Sequence, residues 1–215
     1  MPSPADSQHA TQPILTGGRP LAEADTAMIL LHGRGAGAQS ILLLANEFRR
    51  PQMAYVAPQA ANSTWYPTRF IAPLAANEPW LTWALARVGD VLDQVAQAGI
   101  PPARTFLGGF SQGACLALEF AARNPQRYAG IIGLSGGLIG PPGIEWQYTG
   151  SLDATPVLLG CSDVDFHIPL ARVHESATVL TALGAQVDTR IYPGMEHTVN
   201  QDEIDAIMAM IDRSS

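Results

Sequence analysis

The chain has 215 residues, 47% of them hydrophobic and 14% charged, which suits one globular domain with a substantial core and excludes an intrinsically disordered chain. A net charge of -7 leaves no basic surface for nucleic acid or anionic lipid, so neither is expected as a partner. Residues 1–12 have neither a basic n-region nor an apolar h-region, so they read as a flexible tail, not a signal peptide or membrane span, ahead of a single domain over 13–215.

Taken in order, residues 13–21 carry a short strand and a glycine turn. Residues 26–31 form a continuous apolar run of the kind that fills the interior of a parallel sheet. That run ends in His32-Gly-Arg-Gly-Ala-Gly37, a loop whose glycines let a backbone N–H approach a ligand closely. His32, ending a buried strand, is read as fixing this loop by hydrogen bonding. A helix is expected over 39–49 and a strand over 53–57, closed by Pro58. The irregular segment 59–77 contains Trp65, Tyr66 and Phe70, which could line a pocket, cover it as a lid or pack as an ordinary aromatic cluster. Residues 78–98 form a long amphipathic helix ended by Gly99 and Pro101.

The next unit organises the chain. Residues 104–123 read as an apolar strand, a turn at Gly109-Phe-Ser-Gln-Gly113 and a helix with alanine and leucine at helical spacing. Strand, tight turn and helix together expose Ser111 as a nucleophile, with the Gln112 amide at a helix N-terminus that favours negative charge. A second match, Gly133-Leu-Ser-Gly-Gly137, comes after the strand 128–134 but runs into Gly-Leu-Ile-Gly-Pro-Pro-Gly instead of a helix, so Ser135 is read as a strand end. Residues 135–155 form another long loop, where Trp146 is a further pocket candidate. A strand at 156–161, a helix at 170–183, a strand at 187–192 and a helix at 202–212 complete the chain. This alternation predicts an α/β fold: a mostly parallel central sheet of about seven strands, helices on both faces and the site at the carboxyl strand ends.

Arg34, Ser111, Asp163 or Asp165, and His197 all fall on loops after strands. The order serine, acid, histidine is that of α/β-hydrolases. His197 is then the base and a carboxylate its orienting partner; spacing leaves Asp163 and Asp165 both open. Cys115 and Cys161 match no metal-ligand spacing, so no metal is expected; they read as buried reduced thiols, which points to the cytoplasm.

With Leu31-His-Gly-Arg34, Gly108-Gly-Phe-Ser-Gln-Gly113, Leu134-Ser-Gly136, Gly160 through Pro169 and Tyr192-Pro-Gly-Met-Glu-His197 in view, the chain resembles the phospholipase/carboxylesterase group of α/β-hydrolases, which includes acyl-protein thioesterases. The resemblance spans residues 28–205 and implies a serine esterase needing no cofactor, with oxyanion donors at the Arg34 and Gln112 amides. It also places the acid before a Pro-x-Val/Ile-Pro segment, here Asp165-Phe-His-Ile-Pro169, and so selects Asp165. Phe166 stands where that pattern has its first proline. Two extra residues between Gly160 and the acid separate the chain from the thioesterase branch.

The expected function is hydrolysis of short- to medium-chain or aryl carboxylic esters through an acyl-enzyme, with lysophospholipase or thioesterase activity as the alternative. The partner is then a small-molecule ester, and the sequence leaves a homodimer open. A non-catalytic protein with this fold has little need for all of these groups in order, and no H-x-H or H-E-x-x-H supports a metal hydrolase.

Overall fold

The computed structural model describes residues 7–214. Within them, β1 (Ile14–Gly18), β2 (Thr26–Leu31), β3 (Met53–Pro58), β4 (Thr105–Phe110), β5 (Gly130–Leu134), β6 (Pro156–Ser162) and β7 (Gln186–Tyr192) form one sheet in the order β1-β3-β2-β4-β5-β6-β7. Only β1 runs antiparallel, against β3; the other pairs are parallel.

The apolar runs of the central strands stem from burial on both faces. In β2, Ala27, Ile29 and Leu31 join one core cluster while Met28 and Leu30 join the other, so no position from Ala27 to Leu31 faces water. The first cluster is covered by α2 (Trp80–Gln97), α3 (Gln112–Arg123) and α4 (Leu170–Ala182). The second lies under α1 (Ala38–Ala45) and α5 (Gln201–Arg213). The α/β fold with helices on both faces is therefore as expected. The helix expected over 39–49 ends at Ala45 and tightens into one 3₁₀ turn, Asn46–Phe48, ahead of Pro51, which cannot continue a helix. Among the described residues no helix is long and apolar enough to cross a membrane.

The tail expected over 1–12 needs correction where it is described; residues 1–6 lie outside the described residues. His9 is fully buried against the Trp65 and Trp80 rings, and its Nδ1 accepts from Ala61 N at 3.1 Å while its Nε2 donates to Trp65 O at 3.0 Å. Two backbone partners and two indole rings offset the cost of desolvating the imidazole.

Candidate active site

All the groups singled out from sequence lie on loops at the carboxyl ends of parallel strands, so they share one sheet edge. Ser111 comes directly after β4 and caps α3, with φ 56° and ψ -120°, a backbone region that side chains rarely adopt. Its flanking glycines are sterically compulsory. A Cβ at Gly113 would stand 2.0 Å from Leu31 O, and one at Gly109 2.5 Å from Gly113 C, because the end of β2 passes over the turn. Ser111 N donates to Leu134 O at 2.9 Å, and its Oγ lies 2.9 Å from His197 Nε2.

His197 lies on the loop after β7, and its Nδ1 stands 2.6 Å from Asp165 Oδ2. A carboxylate at Nδ1 fixes the proton there and leaves Nε2 as an acceptor for the serine hydroxyl. The Asp165 side chain is fully buried. Burial pushes its carboxyl up, but the bond to His197 and two amides, His167 N at 2.8 Å and Ile168 N at 3.1 Å on Oδ1, outweigh that and hold it below the ordinary carboxylate range. Those amides orient the acid although Phe166, 94% exposed, replaces the family's proline. Asp163 is not at the ring: its Oδ1 accepts from Gly194 N at 2.8 Å, tying the acid loop to the histidine loop.

Neither Arg34 N–H nor Gln112 N–H has an acceptor among the described residues. His32 holds the loop carrying the first, as expected: Nδ1 donates to Gly33 O at 2.8 Å and Nε2 accepts from Ala60 N at 3.1 Å. What the sequence reading missed is the work of the two side chains. Gln112 Oε1 accepts from Trp65 N at 3.0 Å and Nε2 donates to Tyr66 O at 2.8 Å. The Arg34 guanidinium donates to the carbonyls of Tyr66, Pro67 and Thr68 at 2.9, 2.8 and 2.5 Å. Both residues with free amides thus clamp the same segment, 65–68. The available signal was a glutamine in an otherwise apolar helix start, where a buried amide needs partners.

A cleft of about 580 Å³ opens over Ser111, lined by the apolar side chains of Tyr66, Phe70, Phe110 and Ile168, with Arg34, Arg69 and His167 adding polar groups. Two expected lining residues are corrected. Trp65 is fully buried, its Nε1 donating to His32 O at 2.9 Å. Trp146 stacks 5.0 Å from the Arg172 guanidinium and donates to Ile139 O at 3.2 Å. Both find their indole partners away from the cleft, where an N–H facing an apolar pocket would go unpaired.

Ser135 also has positive φ, 50°, but is fully buried, and its Oγ has no partner among the described residues. The glycines of its motif serve packing: a Cβ at Gly136 would meet Ala114 Cβ at 2.5 Å, and one at Gly137 Arg172 Cγ at 2.9 Å. Both cysteines are free and buried, with thiols pushed up to about 12, chiefly by burial.

Residues 19–215 match the model of a family described as Phospholipase/Carboxylesterase. The chain belongs to that family. A crystal structure of a phospholipase/carboxylesterase from Dyadobacter fermentans is similar at 42% identity and a TM-score of 0.89, covering 94% of this chain and 96% of that one. A solved structure of esterase PE8 is similar at 30% identity and a TM-score of 0.77, covering 95% and 98%. An acyl-protein thioesterase 1 from Gibberella zeae is 32% identical over 124 residues, 57% of this chain and 53% of that relative, so the chain spans about half the length of that relative. The family resemblance read from motifs and the α/β-hydrolase fold are thereby established.

Proposed function

We propose that this family member is a serine carboxylesterase that hydrolyses short- to medium-chain or aryl carboxylic esters, with Ser111 as nucleophile, His197 as base and Asp165 as its orienting acid. The observation that carries this reading is the unbroken series Asp165–His197–Ser111, at 2.6 and 2.9 Å, opening on one cleft. His197 Nε2 takes the hydroxyl proton as Oγ attacks the ester carbonyl. The free amides of Arg34 and Gln112 then receive the oxyanion, aided by the N-terminus of α3, where each such donor is worth about 10²- to 10³-fold in rate. The alcohol leaves with the proton from His197, and water, activated by the same nitrogen, releases the acid. Ser111, His197, Asp165 and both amides come from one chain, so no second copy is required. The buried thiols support a reducing compartment and hence the cytoplasm.

A thioester or lysophospholipid reading draws on the name of the fungal relative and on the cations beside the cleft. The ester reading is preferred because the similarity at 42% identity is to a protein named as a phospholipase/carboxylesterase, whereas acyl-protein thioesterases match at 32% identity over 53% of one relative or at 25% identity over 95% of another. Profiling hydrolysis over oxygen esters of rising acyl length and their thioester counterparts tests this. Oxygen esters up to about octanoyl should have the higher kcat/KM, and a reversed order would overturn the preference.

A further inference from the structure

A second hollow of about 370 Å³ adjoins the site across His197, walled by Ile41 and Leu44 of α1, Phe110 and Val199. It shares Gly33, Ala36, Phe110 and His197 with the main cleft, but Ser111, Gln112 and Arg34 line only the main cleft. Among the described residues no Asp, Glu, Lys or Arg lines it, in contrast to the cleft with Arg34 and Arg69. Phe110, Leu44 and Val199 are each only partly buried against the core, so apolar surface is left to a ligand.

We propose that this groove is the leaving-group subsite and binds the apolar alkyl or aryl portion of the ester's alcohol. The inference rests on the serine esterase reading. In acyl transfer the acyl carbonyl must touch the nucleophile and both oxyanion donors, whereas the alcohol oxygen needs the proton carried by His197. The hollow lined by His197 alone among these groups therefore suits the alcohol, and its uncharged lining selects an uncharged one. By microscopic reversibility, the same groove receives an acceptor alcohol. His197 takes the alcohol's proton, the alcohol oxygen bonds to the acyl carbon, and Ser111 Oγ leaves and regains a proton from His197. The products are a new ester and free enzyme.

The test is partitioning of one acyl-enzyme. An acetate ester is turned over with methanol or hexan-1-ol added, and the ratio of new ester to acetic acid is measured for wild type, Leu44→Trp and Val199→Trp. Wild type should capture hexanol more efficiently than methanol, by about two- to fourfold for each methylene that the groove buries. Both substitutions should lower the hexanol-to-methanol ratio at least fivefold, a quotient that partial misfolding does not move. With a fixed methyl alcohol, the variants should keep the wild-type slope over rising acyl length. Equal capture of both alcohols by wild type, or variants that alter the acyl slope and leave the alcohol ratio alone, would overturn the assignment. Absence of any ester turnover by wild type would instead sink the esterase reading beneath it.

Discussion

The turns at Ser111 and Ser135 are built almost alike. Each ends a parallel strand, puts a serine at positive φ (56° and 50°) and donates the serine amide to the end of the next strand, Leu134 O at 2.9 Å and Gly160 O at 2.7 Å. They differ in the segment that the turn leads into and in the group that faces the hydroxyl. Ser111 opens a helix and meets His197; Ser135 opens an irregular loop, and its Oγ is sealed without a partner among the described residues. Glycine-flanked serine is thus a way to turn the chain at the edge of this sheet, and reactivity comes from the helix and the partner histidine.

The largest effect that sharpens this comparison is Ser111→Ala, which should lower kcat for ester hydrolysis by about 10⁴-fold or more, while Ser135→Ala stays within a few fold of wild type. Steady-state kinetics on one soluble ester checks both. Because Ser135→Ala removes a buried hydroxyl with no partner, urea denaturation should find it no less stable than wild type. The two carboxylates divide similarly. Asp165→Asn should cost about 10⁴-fold in kcat by disturbing the tautomer of His197, whereas Asp163→Ala, losing one loop bond to Gly194 N, should cost less than about tenfold. Equal losses from the two would show that the loops act as one unit.

Gln112→Ala comes next. Backbone chemistry alone predicts little effect, because the donor is an amide that side-chain substitution keeps. The structure predicts a loss of about tenfold to 10²-fold in kcat/KM, because the side chain holds Trp65 N and Tyr66 O and a slight misplacement near reacting atoms is costly. The rate of fluorophosphonate labelling should fall in parallel.

Most of the fold was legible because each central strand is buried on both faces and writes itself as an apolar run. Ser111 and His197 were legible because strand, turn and helix leave a periodic trace and their order matches the fold. Asp165 needed the family pattern, since nothing in the spacing of two loop aspartates tells which one reaches a histidine 32 residues on. Trp65 and Trp146 were misassigned because aromatic content says that area is buried, not which surface buries it. His9 and the clamps from Gln112 and Arg34 depend on contacts between segments far apart in the chain, which no local pattern encodes. Glu203 escaped notice for the same reason. Its capping box with Asn200 is local, but its second oxygen, without a partner among the described residues, presses on Gly160, where a Cβ would lie 2.0 Å from it.

The smallest predicted effects concern pH. Burial is the chief cause that holds the His9 and His32 imidazoles below the ordinary 6.5, so their contribution to stability is present above that value and is lost as pH falls through the lowered folded values. Burial raises the Glu203 carboxyl to about 7, so its contribution is full below 4.5 and is lost as pH rises through 7. Glu203→Gln should therefore flatten the decline on the alkaline side and leave the acid limb unchanged, as read by urea midpoints between pH 5 and 8. A variant with the same alkaline decline as wild type would show that Glu203 is not its source.

The most direct test of the central claim is to treat wild type, Ser111→Ala and Ser135→Ala with a fluorophosphonate probe and locate the label by peptide mass spectrometry. One label on Ser111 is predicted in wild type and in Ser135→Ala, and none in Ser111→Ala; a label on Ser135, or undiminished labelling of Ser111→Ala, would contradict it.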